Sequence, residues 1–251
     1  MLHKARQLRA VRWLQRRFPA LFHFLLQRFN PKKLYGLPLT LVLLVGAVQL
    51  SLLSELTEQV MEAEEMVQVD RQLTSALYNG RTSLGATFFL GATQLGGQLG
   101  AIGLGLLLSF FLARQKRWRS ILVFWLVLGA VGLSVRYGKE WLQRPRPENV
   151  AYVTYQHFSF PSGHSTTATA LFGMGAYLLA RHVRQRRYWL YTGAAIAVVL
   201  VGFSRMYLGA HYLSDVLAGF LLGSLWVLVG ISLLEWLQYR RRSGTSPSAA
   251  P

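Results

Sequence analysis

Apolar residues in this chain come in six long runs separated by short, strongly charged segments. The runs are Leu37–Leu56, Leu84–Ala113, Ile121–Tyr137, Ser165–Ala180, Tyr188–Phe203 and Tyr212–Leu237. A helix needs roughly 17–25 residues to cross a bilayer, and each run is close to that length, the third and fifth being short at their cores. The pattern therefore predicts an all-α fold, a polytopic membrane bundle of six transmembrane helices. Pro38 falls near the start of the first run, where a helix tolerates it. Gly96, Gly97, Gly100, Gly103 and Gly105 in the second run predict close helix packing.

The flanking segments carry a weaker periodicity. Residues 1–33 mix basic groups with Leu8, Val11, Trp13, Leu14, Phe18, Leu21, Phe22, Leu25 and Leu26, spacing that suits an amphipathic interfacial helix in the headgroup region. This segment does not read as a signal peptide, because its basic part is too long and no small-residue cleavage site follows. Residues 57–83 predict an outer amphipathic helix with Val60, Val67, Leu73 and Leu77 as its apolar stripe. The chain thus divides into a basic segment 1–33, a membrane domain 34–240, and a disordered tail 241–251 of mostly Arg, Ser, Ala and Pro. No repeat of solenoid period is visible.

Charge orients these elements. The net charge is +17, from 27 Lys and Arg against 10 Asp and Glu. Such a balance suits nucleic acid or an anionic membrane. The long apolar runs decide for the membrane, and no soluble basic module is present to bind nucleic acid. Placing the N-terminus in the cytoplasm puts 20 of the 27 basic residues inside, in 1–33, 114–119, 181–187 and 240–242. The first outer segment instead gathers six of the ten acids, Glu55, Glu58, Glu62, Glu64, Glu65 and Asp70. Cytoplasmic segments are the positive ones, so both termini are expected inside. The absence of cysteine removes disulfides, thiolate metal sites and cysteine nucleophiles.

This topology brings three polar clusters to the outer face. The first runs from Lys139 to Arg146-Pro147, the second is Pro161-Ser162-Gly163-His164, and the third spans Ser204-Arg205 to His211 and Asp215. Cations are disfavoured at an outer helix end, so Lys139, Arg146 and Arg205 point to an anionic ligand, and arginine offers the planar fork that phosphate oxygens accept. Pro145 and Pro147 should end the third helix near Arg144 and leave Arg146 on extended backbone. Ser162, Gly163 and His164 open the fourth helix, where free N–H groups favour an anion. His211 and Asp215 are spaced i, i+4 and share a helix face. Their pairing suits either a carboxylate-oriented catalytic imidazole or a structural hydrogen bond at a helix end. Two histidines among three cations suit phosphoryl transfer without a metal, one imidazole attacking phosphorus and the other protonating the leaving oxygen. No His-Glu-x-x-His or outer aspartate cluster suggests a metal.

Other polar residues take plainer readings. His157 is a rim residue of the outer loop, and His3, His23 and His182 sit in basic cytoplasmic segments. Glu140 and Glu148 balance local arginines, Glu235 is interfacial, and Trp141, Tyr188 and Tyr239 anchor helix ends at the membrane interface.

The three clusters resemble the signatures of the type 2 phosphatidic acid phosphatase superfamily, Lys-x6-Arg-Pro, Pro-Ser-Gly-His and Ser-Arg-x5-His-x3-Asp. They match in order, spacing and residue type within roughly residues 130–225. The resemblance implies that His211 is the nucleophile forming a phosphohistidine, that Asp215 orients it, and that His164 is the general acid. It implies that Lys139, Arg146, Ser162, Gly163 and Arg205 hold the phosphate, with no metal and no other cofactor. The likeness extends to bacterial members acting on undecaprenyl pyrophosphate, foremost, or on phosphatidylglycerol phosphate and related lipid phosphates. Implied partners are the lipid substrate and membrane lipids, and the implied location is a bacterial inner membrane with the site facing the periplasm. A lipid phosphotransferase would use the same residues. An anionic-lipid transporter fits less well, since the charges cluster at one face, not at the midplane. Vanadate-dependent haloperoxidases share the phosphate signatures but are soluble.

Overall fold

The structure is a computed structural model and describes residues 17–18, 37–62, 65–153, 157–183 and 185–244. All but two residues of the basic segment 1–33 lie outside that range, as does the tail from residue 245. The described residues form helices and no strand: α1 (Leu37–Met61), α2 (Glu65–Asn79), α3 (Ser83–Thr93), α4 (Gln98–Arg114), α5 (Trp118–Leu142), α6 (Gly163–Ala180), α7 (Arg187–Tyr207) and α8 (Leu213–Gly244). The chain divides into two units, Met1–Val48 with Trp236–Pro251, and Gln49–Glu235. In the first, the Arg240 guanidinium lies 4.5 Å from the centre of the Trp236 ring. Every residue of the candidate site lies in the second.

Four helices, α1, α5, α7 and α8, are long and apolar enough to cross a membrane, and α3 with α4 makes a fifth if that bent pair is one span. Large apolar side chains are turned outward along them, Leu84 and Leu99 at 82% exposure and Trp189 at 77%. Outward apolar surface on this scale belongs against lipid. The chain is therefore a membrane-integral protein. The third and fifth apolar runs, short in the sequence, belong to helices of 25 and 21 residues. Their ends are completed by polar residues, including Lys139 and Arg205, that hydropathy leaves out.

α6 is not among the span candidates. Its first seven residues include His164, Ser165, Thr166, Thr167 and Thr169, yet Ser165 and Thr166 are fully buried. Burial is tolerable because the hydroxyls are satisfied within the helix: Thr166 donates to the Ser162 carbonyl at 2.8 Å and Thr169 to that of Ser165 at 2.8 Å. α6 packs against α4, α5 and α7. At its far end the Tyr177 hydroxyl and Arg181 both donate to Glu235 of α8, at 2.5 and 2.7 Å. An apolar groove of about 660 Å³ between α4, α6 and α7, lined by Leu107, Phe110, Leu171 and Trp189 among others, contains none of the predicted site residues.

The second apolar run is not one straight span. α3 and α4 meet at 52° across a 3₁₀ turn, Gln94–Gly96. The reason is local packing: a Cβ on Gly96 would stand 2.6 Å from Val201 Cγ1 and 2.8 Å from the His164 carbonyl oxygen. Only glycine lets the backbone press against α6 and α7 there. The apolar pattern continues through the break, so periodicity alone could not reveal it.

In the stretch predicted as an outer amphipathic helix, α1 continues to Met61 and α2 begins at Glu65. On α2, Val67, Leu73 and Leu77 are half-buried, and the fully buried side chain is Asp70.

Candidate active site

The end of α5 builds the first wall. Gln143 closes the helix in a left-handed conformation, φ 47°, its N–H bonded to the Lys139 carbonyl. Pro145 and Pro147 then keep the chain extended, since proline can neither donate to a helical ladder nor allow the preceding residue a helical geometry. Lys139 Nζ donates to the Phe158 carbonyl. Arg146 Nε donates to the His157 carbonyl at 2.6 Å, and its Nη1 to the Ala210 carbonyl at 2.6 Å. His157 thus meets Arg146 through its backbone oxygen.

The second wall is the start of α6. Ser162 is its N-cap residue, fully buried, and its hydroxyl accepts from Ser165 Oγ at 2.9 Å, leaving its own proton to donate elsewhere. The Ser162 N–H donates to the Asp215 carbonyl at 3.0 Å, which ties this motif to the next.

The third wall is the turn between α7 and α8. Ala210 and His211 N–H both donate to the Arg205 carbonyl, at 2.9 and 3.2 Å, folding the chain back over Arg205. Gly209 makes the reversal with φ +66°, and a Cβ there would stand 2.3 Å from the Val150 carbonyl oxygen. Glycine is required on both counts. His211 Nδ1 meets Asp215 Oδ2 at 3.2 Å, and Tyr212 N–H donates to the same oxygen at 3.0 Å. On the other side of the ring, His211 Nε2 lies 3.3 Å from Arg146 Nη1.

These walls converge. Lys139, Arg146 and Arg205 all act electrostatically on both His211 and His164, and the two imidazoles act on each other. The three cations, both histidines and Asp215 therefore form one cluster, with Ser162 and Gly163 at its helical wall. His211 is only 2% exposed. Burial, then the charges of Arg205, Arg146 and Lys139, hold its imidazole well below the usual range. A neutral ring whose Nδ1–H donates to Asp215 presents its Nε2 lone pair toward Arg146, the arrangement a nucleophile or base needs. Among the described residues, no three His, Asp or Glu side chains gather as metal ligands would.

The depressed value has a sign that can be tested. An imidazole whose midpoint lies below about 6.5 stays neutral as pH falls through that value. The acid limb of kcat/KM, which reports the free enzyme, should therefore lie below pH 6.5 once the substrate's own phosphate ionisation is subtracted. A half-loss at 6.5 or above would contradict a neutral, cation-flanked His211.

The structure adds partners outside the three motifs. Arg144 is 8% exposed and forks between two fully buried carboxylates, its Nη1 2.6 Å from Asp215 Oδ1 and its Nη2 2.7 Å from Asp70 Oδ2. Its Nη1 also donates to Ser214 Oγ at 2.7 Å, and its guanidinium sits 4.3 Å from the centre of the Tyr212 ring. Burial works against its charge, but Asp215 and Asp70 outweigh that and raise its pKa above the ordinary value. Asp70 also accepts from the Ser214 N–H at 3.0 Å and from the Ser214 hydroxyl. From the break in the second run, Thr93 Oγ1 accepts from Arg205 Nη1 at 2.9 Å, and a Cβ on Gly97 would stand 3.3 Å from His164 Nε2. Asp70 left a readable trace, a lone carboxylate within the apolar stripe of Val67, Leu73 and Leu77. Thr93 and Gly97 left none, because the helix break brings them in.

The PAP2 superfamily pattern matches residues 120–239, which contain all three clusters. Phosphatidylglycerophosphatase B of Bacillus subtilis is 33% identical over 200 residues, covering 78% of this chain and 91% of that one. Undecaprenyl-diphosphatase of Sulfolobus acidocaldarius is 33% identical over 132 residues, 50% of this chain and 52% of that one. A crystal structure of a transmembrane PAP2-type phosphatidylglycerolphosphate phosphatase from Bacillus subtilis superposes with a TM-score of 0.73 at 30% identity, over 76% of this chain and 96% of that one. Sequence and fold agree across the helices that carry the clusters, and the chain belongs to the PAP2 superfamily.

Proposed function

We propose that this protein is an integral-membrane phosphatase that removes a phosphate from a lipid phosphate or pyrophosphate through a phosphohistidine intermediate. One observation carries the reading: His211 is held through Nδ1 by Asp215 while its Nε2 faces Arg146, within the field of Arg205 and Lys139. In the first step His211 Nε2 attacks phosphorus as the bond to the leaving oxygen breaks, and His164 gives that oxygen a proton. In the second, His164 takes a proton from water, whose oxygen attacks phosphorus. The N–P pair returns to Nε2 and inorganic phosphate leaves. Lys139, Arg146, Arg205, Ser162 and the N–H groups opening at Gly163 neutralise the equatorial oxygens.

Undecaprenyl pyrophosphate is the substrate we favour. Phosphatidylglycerol phosphate is the second reading, favoured by the relative that matches 91% of its own length. The topology is six spans, α1, the α3–α4 pair, α5, α6, α7 and α8, with residues 34–240 as the phosphatase domain, 1–33 as an interfacial segment and 241–251 as a tail. The excess of Lys and Arg in the segments assigned to the cytoplasm supports both termini inside and the site on the periplasmic side of a bacterial inner membrane.

The test is a substrate panel on protein reconstituted in sealed vesicles, with EDTA present. Release of phosphate from a polyprenyl diphosphate or a phospholipid phosphate, from the face opposite the termini, is the expected result. Transfer to an acceptor lipid without free phosphate would replace hydrolase by phosphotransferase. Binding without turnover of any lipid phosphate would sink the reading.

A further inference from the structure

Behind His211, on the side away from Arg146, the structure adds two charged residues around Asp215 that the motif signatures do not name. A guanidinium, Arg144, lies between two carboxylates, Asp70 and Asp215, and bonds to both. The two oxygens of Asp215 have separate duties. Oδ1 takes Arg144, and Oδ2 takes His211 Nδ1 and the Tyr212 N–H. Asp70 fixes the other prong of Arg144 and both polar groups of Ser214, the residue preceding Asp215. A continuous chain of hydrogen bonds therefore runs from α2 through Arg144 and Asp215 to the imidazole.

We infer that Asp70 and Arg144 are positioning residues for phosphoryl transfer, acting through Asp215 on the Nδ1 side of His211. The inference rests on the reading of His211 as nucleophile. Its physical basis is charge balance in a buried place. A lone buried carboxylate is costly to keep ionised, and Arg144 supplies the counter-charge that keeps Asp215 an acceptor for Nδ1–H. Arg144 and Asp215 alone would be a neutral pair. Asp70 adds a second carboxylate, so the layer facing Nδ1 sets two carboxylates against one guanidinium, while Arg146 lies on the Nε2 side. As the N–P bond forms at Nε2 the ring becomes cationic, and a pre-set negative layer at Nδ1 stabilises that charge without reorganisation. Asp70 thus acts when the bond forms, not when substrate binds.

The closing experiment compares wild type with Asp70→Asn and Arg144→Lys, each purified and checked for folding by thermal melting. Asp70→Asn removes the extra charge and keeps the size; Arg144→Lys keeps the charge and loses the fork. Both are expected to lower kcat about 10–100-fold, the scale seen when outer partners of an active group are removed, with KM within about 2-fold. Asp70→Glu, which restores the charge, should recover part of the loss. In 15N-histidine NMR, the fraction of His211 carrying its proton on Nδ1 should fall in Asp70→Asn. A folded Asp70→Asn with wild-type kcat and wild-type tautomer would overturn the inference. So would wild-type kcat in Arg144→Lys, which stands as the deciding arm if Asp70→Asn does not fold. Absence of turnover in the wild type would instead defeat the phosphatase reading, and the tautomer comparison would still decide whether Asp70 acts on His211.

Discussion

His211→Ala protein should lose turnover by at least about 10⁴-fold and should form no covalent phosphoenzyme, because in the proposed mechanism the substitution removes the atom that bonds to phosphorus. The cations proposed to bind phosphate remain, so the variant should still bind a lipid phosphate. Rapid acid-free quenching with labelled substrate would read both effects. The companion His164→Ala behaves differently in the same mechanism. Its loss should be large with an alkyl or polyprenyl leaving group and much smaller with p-nitrophenyl phosphate, whose leaving oxygen needs no proton. Equal losses with the two leaving groups would remove the general-acid role from His164. Full turnover in His211→Ala would remove the covalent mechanism.

Arg144→Ala should produce the largest loss of stability from any single change at this site, about 3–5 kcal/mol. Two carboxylates, Asp70 and Asp215, are fully buried against this one guanidinium, and truncation leaves both without their nearest counter-charge. The cost arises from the partners left behind more than from the hydrogen bonds removed. It follows that Arg144→Ala combined with Asp70→Ala should be less harmful than the sum of the single changes, since the second removes a stranded charge. Denaturant or thermal unfolding of the four proteins in one detergent would measure the coupling. Additive losses would mean that the network is not a unit. Exposed pairs such as Arg136–Glu140, whose side chains are 74% and 58% exposed, should show no comparable effect when broken.

The two predictions concern residues of different legibility. His211 stands out because a histidine, an aspartate four residues later and an arginine six residues earlier lie close together in the chain. His211 lies in the turn two residues before α8, so the His211–Asp215 pair meets at 3.2 Å without the shared helix face that the i, i+4 spacing predicts. Arg144 is visible only as a helix end beside two prolines. Its partners are 74 and 71 residues away, and no local pattern links such positions. Asp70 lies between these extremes. Its place within the apolar stripe of α2 marks it as inward-facing, though its partner cannot be read from the stripe.

The helices divide along the same line. Among the described residues, apolar run length located the long helices, because a membrane span must satisfy its backbone internally and expose apolar side chains. Run length missed the bend at Gln94–Gly96, since a glycine break in an apolar stretch leaves hydropathy unchanged. It also did not reveal that the polar first turns of α6 are buried within the protein.

By itself, then, the sequence determined which stretches are helical and where the three polar clusters lie, properties of residues near one another in the chain. The tertiary structure decided which prong of each arginine meets which oxygen, that Asp70 shares Arg144 with Asp215 behind His211, and that a broken helix supplies Thr93 to Arg205 and Gly97 to the wall beside His164. Those depend on the meeting of elements distant in sequence, where packing sets the distances that electrostatics then uses.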